Sequence, residues 1–599
     1  MSVEQTSMNQ LITDNIDVWT STVKTKSASG RGSSKKRELY GVKKLRELIL
    51  ELAVRGKLVP QDPTDEPASA LVERIAEEKA QLVKDKKIKK PKKLPDATDN
   101  DIPFKLPSGW SWGRVNELSK QVTDGVHHTP KYIEEGVPFI SVKDINGRTV
   151  SFDDCKYISQ EQHVEINQRC NPEFGDVLLC RIGTLGRATI VDTTEPFSLF
   201  VSVGLLKFFN EYLLSDYLHK VFHSPLLLKQ YDEIKAGGSH TNKLNLGDIP
   251  KLWLPVAPIS EQHRIVAKVD ELMTLCDQLE QQTEASIEAH QVLVTTLLDT
   301  LTNSADAEEL VQNWARISEH FDTLFTTEAS IDQLKQTILQ LAVMGKLVPQ
   351  DPTDEPAAKL LERIAEEKAQ LIKDKKIKKQ KALLPIAEDE KPFELPMGWE
   401  WCRFEDVVDI QSGITKGRKL VNRALKTIPY LSVANVQRGF LNLSNVKEIE
   451  LPVDELEKFG VQNGDLLITE GGDWDKVGRT AIWRDEIEYV AHQNHVFKAR
   501  PFLHEQSEVW LEMYLNAPFA RDYFAGSSKQ TTNLASINKT QLRGCFIAVP
   551  PKKEKQNIVR KVDDLMAFCD QLIELLQESQ ITQLHLTNAI VEQAANHGR

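Results

Sequence analysis

Apolar residues in this chain repeat with two different periods. In LRELILELAVRGKLV (45–59) they fall at helical spacing and stop at Gly56 and Pro60, which predicts a short helix ending there. PTDEPASALVERIAEEKAQLV predicts a second helix, with Thr64 or Asp65 near its N-cap and Pro67 in its first turn. Farther on, Ile265, Val269, Leu272, Cys276 and Leu279 step 4-3-4-3, a heptad-like seam. Ile558, Val562, Leu565, Cys569 and Leu572 repeat that seam. A helix of about 40 residues spans roughly 60 Å. Each seam is one stripe wide and needs a partner, either the other long helix or the helices near 42–56 and 330–345. Between the helices, short runs sit among Gly, Asn and Asp turns: VPFISV, DVLLCRI, ATIVD, TIPYLSV, DLLIT and YVAHQNHVFKA. Their β-branched and aromatic content predicts strands in two α/β globules.

The chain is written twice. GKLVPQDPTDEPA occupies 56–68 and returns at 345–357, an offset of 289. The offset holds through ERIAEEKAQL, KDKKIKK, Phe104/Phe393, Trp110/Trp399, Trp112/Trp401 and Gly175-Asp176/Gly464-Asp465. By IVAKVDELMTLCDQL (265–279) and IVRKVDDLMAFCDQL (558–572) it has become 293. The flanks are nearly identical, whereas the middles, about 113–250 and 402–543, share sparse marks. FGDVLLCRIGTLGRATI answers NGDLLITEGGDWDKVGRTAIW, and FISVKDING answers YLSVANVQRG. One frame with differing detail implies one fold carrying two different surfaces. The tryptophans of GWSW and GWEW travel with the frame and read as core.

At 599 residues the chain is too long for one core and predicts three or four domains. No apolar run approaches the roughly 18 residues of a membrane helix. The N-terminus lacks a basic start and an apolar core, so no signal peptide is expected. Seven cysteines without CxxC spacing imply reduced, packing thiols in a cytoplasmic protein. The net charge of −12 argues mildly against nucleic acid as a general partner. The charge is uneven, however: the lysine runs KDKKIKKPKK and KDKKIKKQK stand apart from acidic helices, as phosphate contacts or as solvated linkers.

Enzyme signatures are missing. There is no GxxxxGK[ST], no strand-linked GxGxxG, and no HExxH, CxxC…CxxC or GxSxG in its required context. Asp232-Glu233-Ile234-Lys235 resembles a nuclease element but lacks an upstream acidic partner. His127-His128 as metal ligands would diverge from each other. Binding is the better reading, and no catalytic residue and no metal ligand are assigned. The candidate contacts lie in Gly-containing loops rich in groups that suit phosphates and base edges. In the first middle they are His127, His128, Lys131, Lys143, Asn146, Arg148, Arg181, Thr184, Arg187, Ser239, His240, Asn242 and Lys243. In the second they are Thr415, Lys416, Arg418, Asn435, Gln437, Arg438, Trp474, Lys476, Arg479, Asn494, Lys529, Gln530, Thr532 and Asn533. A coiled-coil scaffold that bridges proteins without reading DNA sequence is the alternative.

The duplicated LAVRGKLVPQDPTDEPA-like connector, PF-x-LP-x-GW-x-W, GD(V/L)L, GR(A/T), and the IV-x-KVD-(E/D)-LM-x-x-CDQL helix together resemble the specificity subunit of type I restriction–modification systems, most like the branch called type IB. The resemblance covers nearly all of the chain beyond residue 40. It implies an α/β (α+β) fold: two strand-rich target-recognition domains joined by long antiparallel coiled-coil helices in a pseudo-twofold internal repeat. The expected segments are 1–40, an N-terminal extension; 41–102, helical; 103–258, the first recognition domain; 259–390, a central helical region; 391–550, the second recognition domain; and 551–599, a C-terminal helix. The resemblance further implies double-stranded DNA, two modification subunits and two restriction subunits as partners. This chain would bind no cofactor itself; S-adenosylmethionine would sit on the modification subunits and ATP with Mg²⁺ on the restriction subunits. Residues 1–40 are expected to form a short amphipathic helix and a flexible basic linker that helps dock a modification subunit.

Overall fold

The computed structural model describes residues 8–26, 36–95, 101–237, 242–305, 307–417, 423–472, 476–527, 529–531 and 534–596. Among these, the first half runs through α1 (Tyr40–Val54), α2 (Ala68–Lys84), nine strands with α3 (Ser215–Phe222) among them, and the 44-residue α4 (Ile259–Thr302). The second half repeats this as α5 (Glu328–Val343), α6 (Ala357–Lys373), twelve strands with α7 (Glu508–Asn516), and the 45-residue α8 (Lys552–Asn596). Two compact units result: residues up to 285 together with 580–599, and residues 286–579.

Each unit holds one strand-rich domain, called a reader for the recognition role that the sequence resemblance implies. In the first, the central sheet has four strands in the order Ser119–Asp124, Val203–Phe208, Val177–Cys180, Ala188–Ile190, all neighbours antiparallel. In the second, the same order is Val408–Ser412, Val496–Pro501, Leu466–Thr469, Thr480–Ile482. A three-stranded sheet accompanies each, and its central strand, Val137–Ile140 or Leu425–Leu431, has one antiparallel and one parallel neighbour. The strands predicted from sequence are present, except that YVAHQNHVFKA is broken into Ala491–His492 and Val496–Pro501.

The marks shared by the two middles have structural causes. Gly175 and Gly464 have φ of +85° and +86°, a backbone region that glycine enters without cost. Asp176 and Asp465 follow them, and each meets a cation on the neighbouring strand. Lys207 Nζ lies 2.7 Å from Asp176, and Arg500 Nε lies 2.6 Å from Asp465. Gly186 and Gly478 sit under aromatic rings. A Cβ there would lie 2.1 Å from Tyr231 or 2.3 Å from Phe524. Residues that recur in both readers are therefore those that build the reader.

The connector is a mount, and nearly every letter of it is used. Gly56 and Gly345 end their helices with φ of +65° and +69°, and the following lysine N–H returns to Leu52 O or Leu341 O at 2.9 Å. Lys57 Nζ then donates to Ala595 O, as Lys346 Nζ donates to Thr302 O. Residues 580–596 thus serve the first unit as 286–302 serve the second. Gln61 donates to Glu261, and Trp110 Nε1 donates to the same carboxylate at 2.9 Å. Trp399 Nε1 repeats this on Glu554 at 2.9 Å. Asp65 pairs with Arg264, while its counterpart Asp354 accepts from the Lys553 and Glu554 backbone N–H groups at the start of α8. The sequence placed the N-cap of α2 at Thr64 or Asp65, but Pro67 is the cap. Thr64 is instead held by Asp62 at 2.7 Å.

The seam residues Ile265, Val269, Leu272, Cys276 and Leu279 are all buried. Arg46 of α1 reaches Asp277 and Glu280 at 2.6 Å, so α1 lies along this stretch of α4. In the second unit Lys335 of α5 reaches Asp570 at 2.5 Å. The short helices 42–56 and 330–345, one of the two partners foreseen, therefore run beside the seams. Residues 8–21 form two short helices rather than one, divided at Asn15, and they bury Ile12 and Trp19. Thr22 meets Thr587 in a buried hydrogen bond. The basic linker expected after them is paired at its ends, Lys24–Lys26 against Lys36–Glu38; 27–35 lie outside the described residues. All seven cysteines are buried thiols.

Candidate nucleic-acid interface

The first reader presents a tight turn at residues 145–149. Asn146 Oδ1 accepts from the N–H groups of Arg148 and Thr149 at 2.7 and 2.8 Å, which leaves the exposed Arg148 side chain at the tip. Gly147 bends the turn with φ +91°, and its N–H donates to Thr189 Oγ1. From below, His219 Nε2 donates to Gly147 O at 2.7 Å and Arg187 Nη1 donates to Ile145 O at 3.2 Å. Arg187 is therefore a brace for the turn. His223, one helical turn on, packs against His219 with the rings tilted by 49° and their centroids 4.3 Å apart. Burial, the largest influence, holds both imidazoles below their ordinary range, His223 at about 4.

The second reader uses the same positions with other chemistry. Ser432 with Asn435 repeats Ser141 with Asp144 as a local cap. Arg479 Nη1 donates to Gln437 Oε1 at 2.8 Å. On α7, Glu512 and Asn516 stand where the first reader has His219 of α3 and His223, its C-cap. Asn516 holds both backbone groups of Thr480, and Glu512 accepts from Ile482 N–H at 2.9 Å.

Burial raises the Glu512 carboxyl to about 7. That value lies above its ordinary 4.5, so the folded chain binds the extra proton between the two and loses stability as pH rises through this window. Glu512→Gln keeps the acceptor and removes the charge. It is expected to leave stability near wild type at pH about 5 and to raise it by about 3 kcal/mol at pH about 8. Denaturant unfolding of the second unit at both values measures this.

Several candidates prove not to be surface contacts. Arg181 is 5% exposed. It donates to the Leu244 and Val201 carbonyls and pairs with Asp124, itself 1% exposed. A buried carboxylate needs such a partner, so Arg181 is a core cation. Asn435 is 3% exposed and spends its side chain on Ser432, Asn442 and Asn445. Its polar type signals a turn organiser here, as Asp144 is in the first reader.

His127, His128, Lys131, Lys143, Asn146, Arg148, Thr184, Asn242, Lys243, Thr415 and Lys416 are exposed. Lys143 is tethered to Asp154 O at 2.7 Å, and Lys416 lies 4.9 Å above the Tyr430 ring. Gln437, Arg438, Lys476, Arg479 and Asn494 are half-buried. Lys529 and Gln530 lie on the Lys529–Thr531 strand, which joins Leu534–Ser536 and, through it, Gly471–Gly472. Ser239, His240, Arg418, Trp474, Thr532 and Asn533 lie outside the described residues. Sequence reasoning missed Arg169, which shares Asp124 with Arg181, and His495, 2.6 Å from Glu470. It also missed His219 and His223. No sequence signal marked them, since the repeat sets Glu512 and Asn516 at those positions.

This doubled architecture has relatives. The family model described as the type I restriction modification DNA specificity domain matches residues 107–289 and again 396–583. The chain belongs to that family. It is 40% identical to the Type I restriction enzyme EcoEI specificity subunit of Escherichia coli, over 98% of this chain and all of the relative. It is also 40% identical to the EcoAI specificity subunit of the same species, over 98% of this chain and all of that one. Among solved structures, the HsdS subunit from Thermoanaerobacter tengcongensis covers 83% of this chain at 17% identity and TM-score 0.38. The chain is thus a specificity subunit of a type I restriction–modification system, the DNA-recognition rather than the catalytic part of a larger complex. The protein-bridging scaffold does not fit this family. Among the described residues no helix is long and apolar enough to cross a membrane.

Proposed function

We propose that the two readers, within 103–258 and 391–550, each recognise one half of a bipartite, asymmetric DNA site. The observation that carries this is one mount used twice beneath readers of the same topology and different exposed residues. Arg148 with Asn146 would work at one half-site, Lys416 with Thr415 at the other. Identical readers would select a palindrome, as dimer symmetry does elsewhere; unlike readers select an asymmetric target. The long helices set the spacer and dock two modification subunits, which carry S-adenosylmethionine and methylate adenine. Two restriction subunits with ATP and Mg²⁺ complete the cytoplasmic complex.

The test is to map methylated adenines in cells carrying the complete system, with and without this chain. One bipartite motif that vanishes on deletion supports the proposal. An unchanged methylome, with the modification subunits expressed, refutes it.

A further inference from the structure

We infer that the two lysine runs are phosphate-binding straps, one fixed to each reader, that supply sequence-independent affinity for the duplex. The inference rests on the DNA-recognition reading above and adds where the DNA backbone is held.

The first run, 84–93, carries Lys84, Lys86, Lys87, Lys89, Lys90, Lys92 and Lys93 against a single Asp85. The second, 373–381, carries six lysines against Asp374. All thirteen are exposed, and none has a carboxylate partner among the described residues. Other exposed lysines of this chain are paired, as Lys235, Lys251 and Lys359 are. In a chain of net charge −12, thirteen unmatched cations in two places are a strong local departure.

The runs are not loose tethers. Ile88 and Ile377 are half-buried while the lysines around them face solvent. The main chain just beyond is fastened to the reader. Arg114 Nη1 donates to Pro95 O at 2.6 Å and Asn116 to Lys92 O at 3.2 Å. In the second reader Arg403 Nε donates to Leu384 O at 2.9 Å and Arg543 Nη2 to Lys381 O at 2.6 Å.

A second observation concerns backbone strain. Lys86 and Lys375 both have φ +57°, the position after a helix end where glycine is the low-strain residue. The following N–H groups close on Leu82 O and Leu371 O at 2.9 and 3.0 Å. Both copies thus place lysine where glycine would be less strained, which is consistent with a use for the charge.

The ligand must be a polyanion present at both readers. Lysine is a compact point charge on a flexible stem, suited to phosphates and without base preference. A duplex bound by both readers provides one continuous row of phosphates. An acidic protein surface is the competing partner, and the experiment separates the two.

In the complete complex with its modification subunits, Lys87, Lys89, Lys90 and Lys93 are replaced by Gln. Lys376, Lys378, Lys379 and Lys381 are replaced in a second variant. Affinity is measured for a duplex bearing the mapped site and for one lacking it, across about 50–200 mM salt. The expected result is a roughly tenfold loss on both duplexes, an unchanged ratio between them, and a salt slope shallower by about 0.9 for each phosphate no longer neutralised. The pair Lys86→Gly with Lys375→Gly is expected to raise the melting temperature and still weaken binding. Unchanged affinity and slope in both strap variants would overturn the inference. So would failed assembly with the modification subunits while the assembled fraction binds DNA as before, since that marks a protein-docking surface. A wild-type complex that shows no preference for the site would refute the DNA-recognition reading instead.

Discussion

Arg181→Ala is expected to destabilise the first reader by about 3–5 kcal/mol without changing which bases it selects. The substitution leaves Asp124, 1% exposed, without its buried cation. It also strips the Leu244 and Val201 carbonyls of their donor. Arg169 still reaches Asp124 from the rim, so the cost should fall at the lower end of that range. Arg148→Ala is the contrasting change. Its guanidinium stands at the tip of a turn held by Asn146 and His219, so the fold should be unaffected. If it reads a base, binding to one half-site should weaken by about 1–3 kcal/mol. Thermal melting of each variant, followed by duplex binding, separates the outcomes. An Arg181→Ala chain that melts like wild type yet loses one half-site would show that the buried-cation account is wrong.

Gly345→Ala is the second large effect. A helix-interior Gly→Ala usually stabilises, by up to about 1 kcal/mol. Here the sign reverses. Gly345 sits at φ +69°, and its new Cβ would lie 2.5 Å from Pro396 and 2.9 Å from Trp399. The left-handed backbone costs about 1–2 kcal/mol and the crowding about 1–3 more. The expected loss is about 2–5 kcal/mol, with Gly56→Ala behaving alike in the first unit, where the Cβ would meet Pro107 at 2.6 Å. The crowding falls on Trp399, which with Asp354 fastens this end of the unit to Glu554 at the start of α8. A stabilised Gly345→Ala protein would contradict the role of the connector as a packed mount.

The mounts were legible in the sequence because their chemistry is local and stated twice. Gly56, Lys57, Gln61 and Asp65 each act within the connector or on one helix that the repeat itself flags. Helical and strand periods located most elements for the same reason. Asn15 escaped that logic, since one residue dividing 8–21 leaves the apolar spacing almost unchanged.

The readers were legible as folds and far less so as surfaces. A loop arginine looks the same in sequence whether it turns outward or inward, and Arg181 turns inward because Asp124 lies 57 residues earlier, at the end of a strand two places across the same sheet. His219 lies 72 residues from the turn it supports. Recurrence between the copies marks what builds the fold. Arg187 and Arg479 recur because both brace the same turn, while Arg148 matches no arginine in the second reader.

The central claim is that one reader determines one half of the target. Its most direct test exchanges residues 103–258 for the corresponding segment of another family member within the complete system, followed by long-read mapping of methylated adenines. The account predicts a motif in which one half changes and the other half and the spacer stay the same. A motif in which both halves change, or neither does, would contradict it.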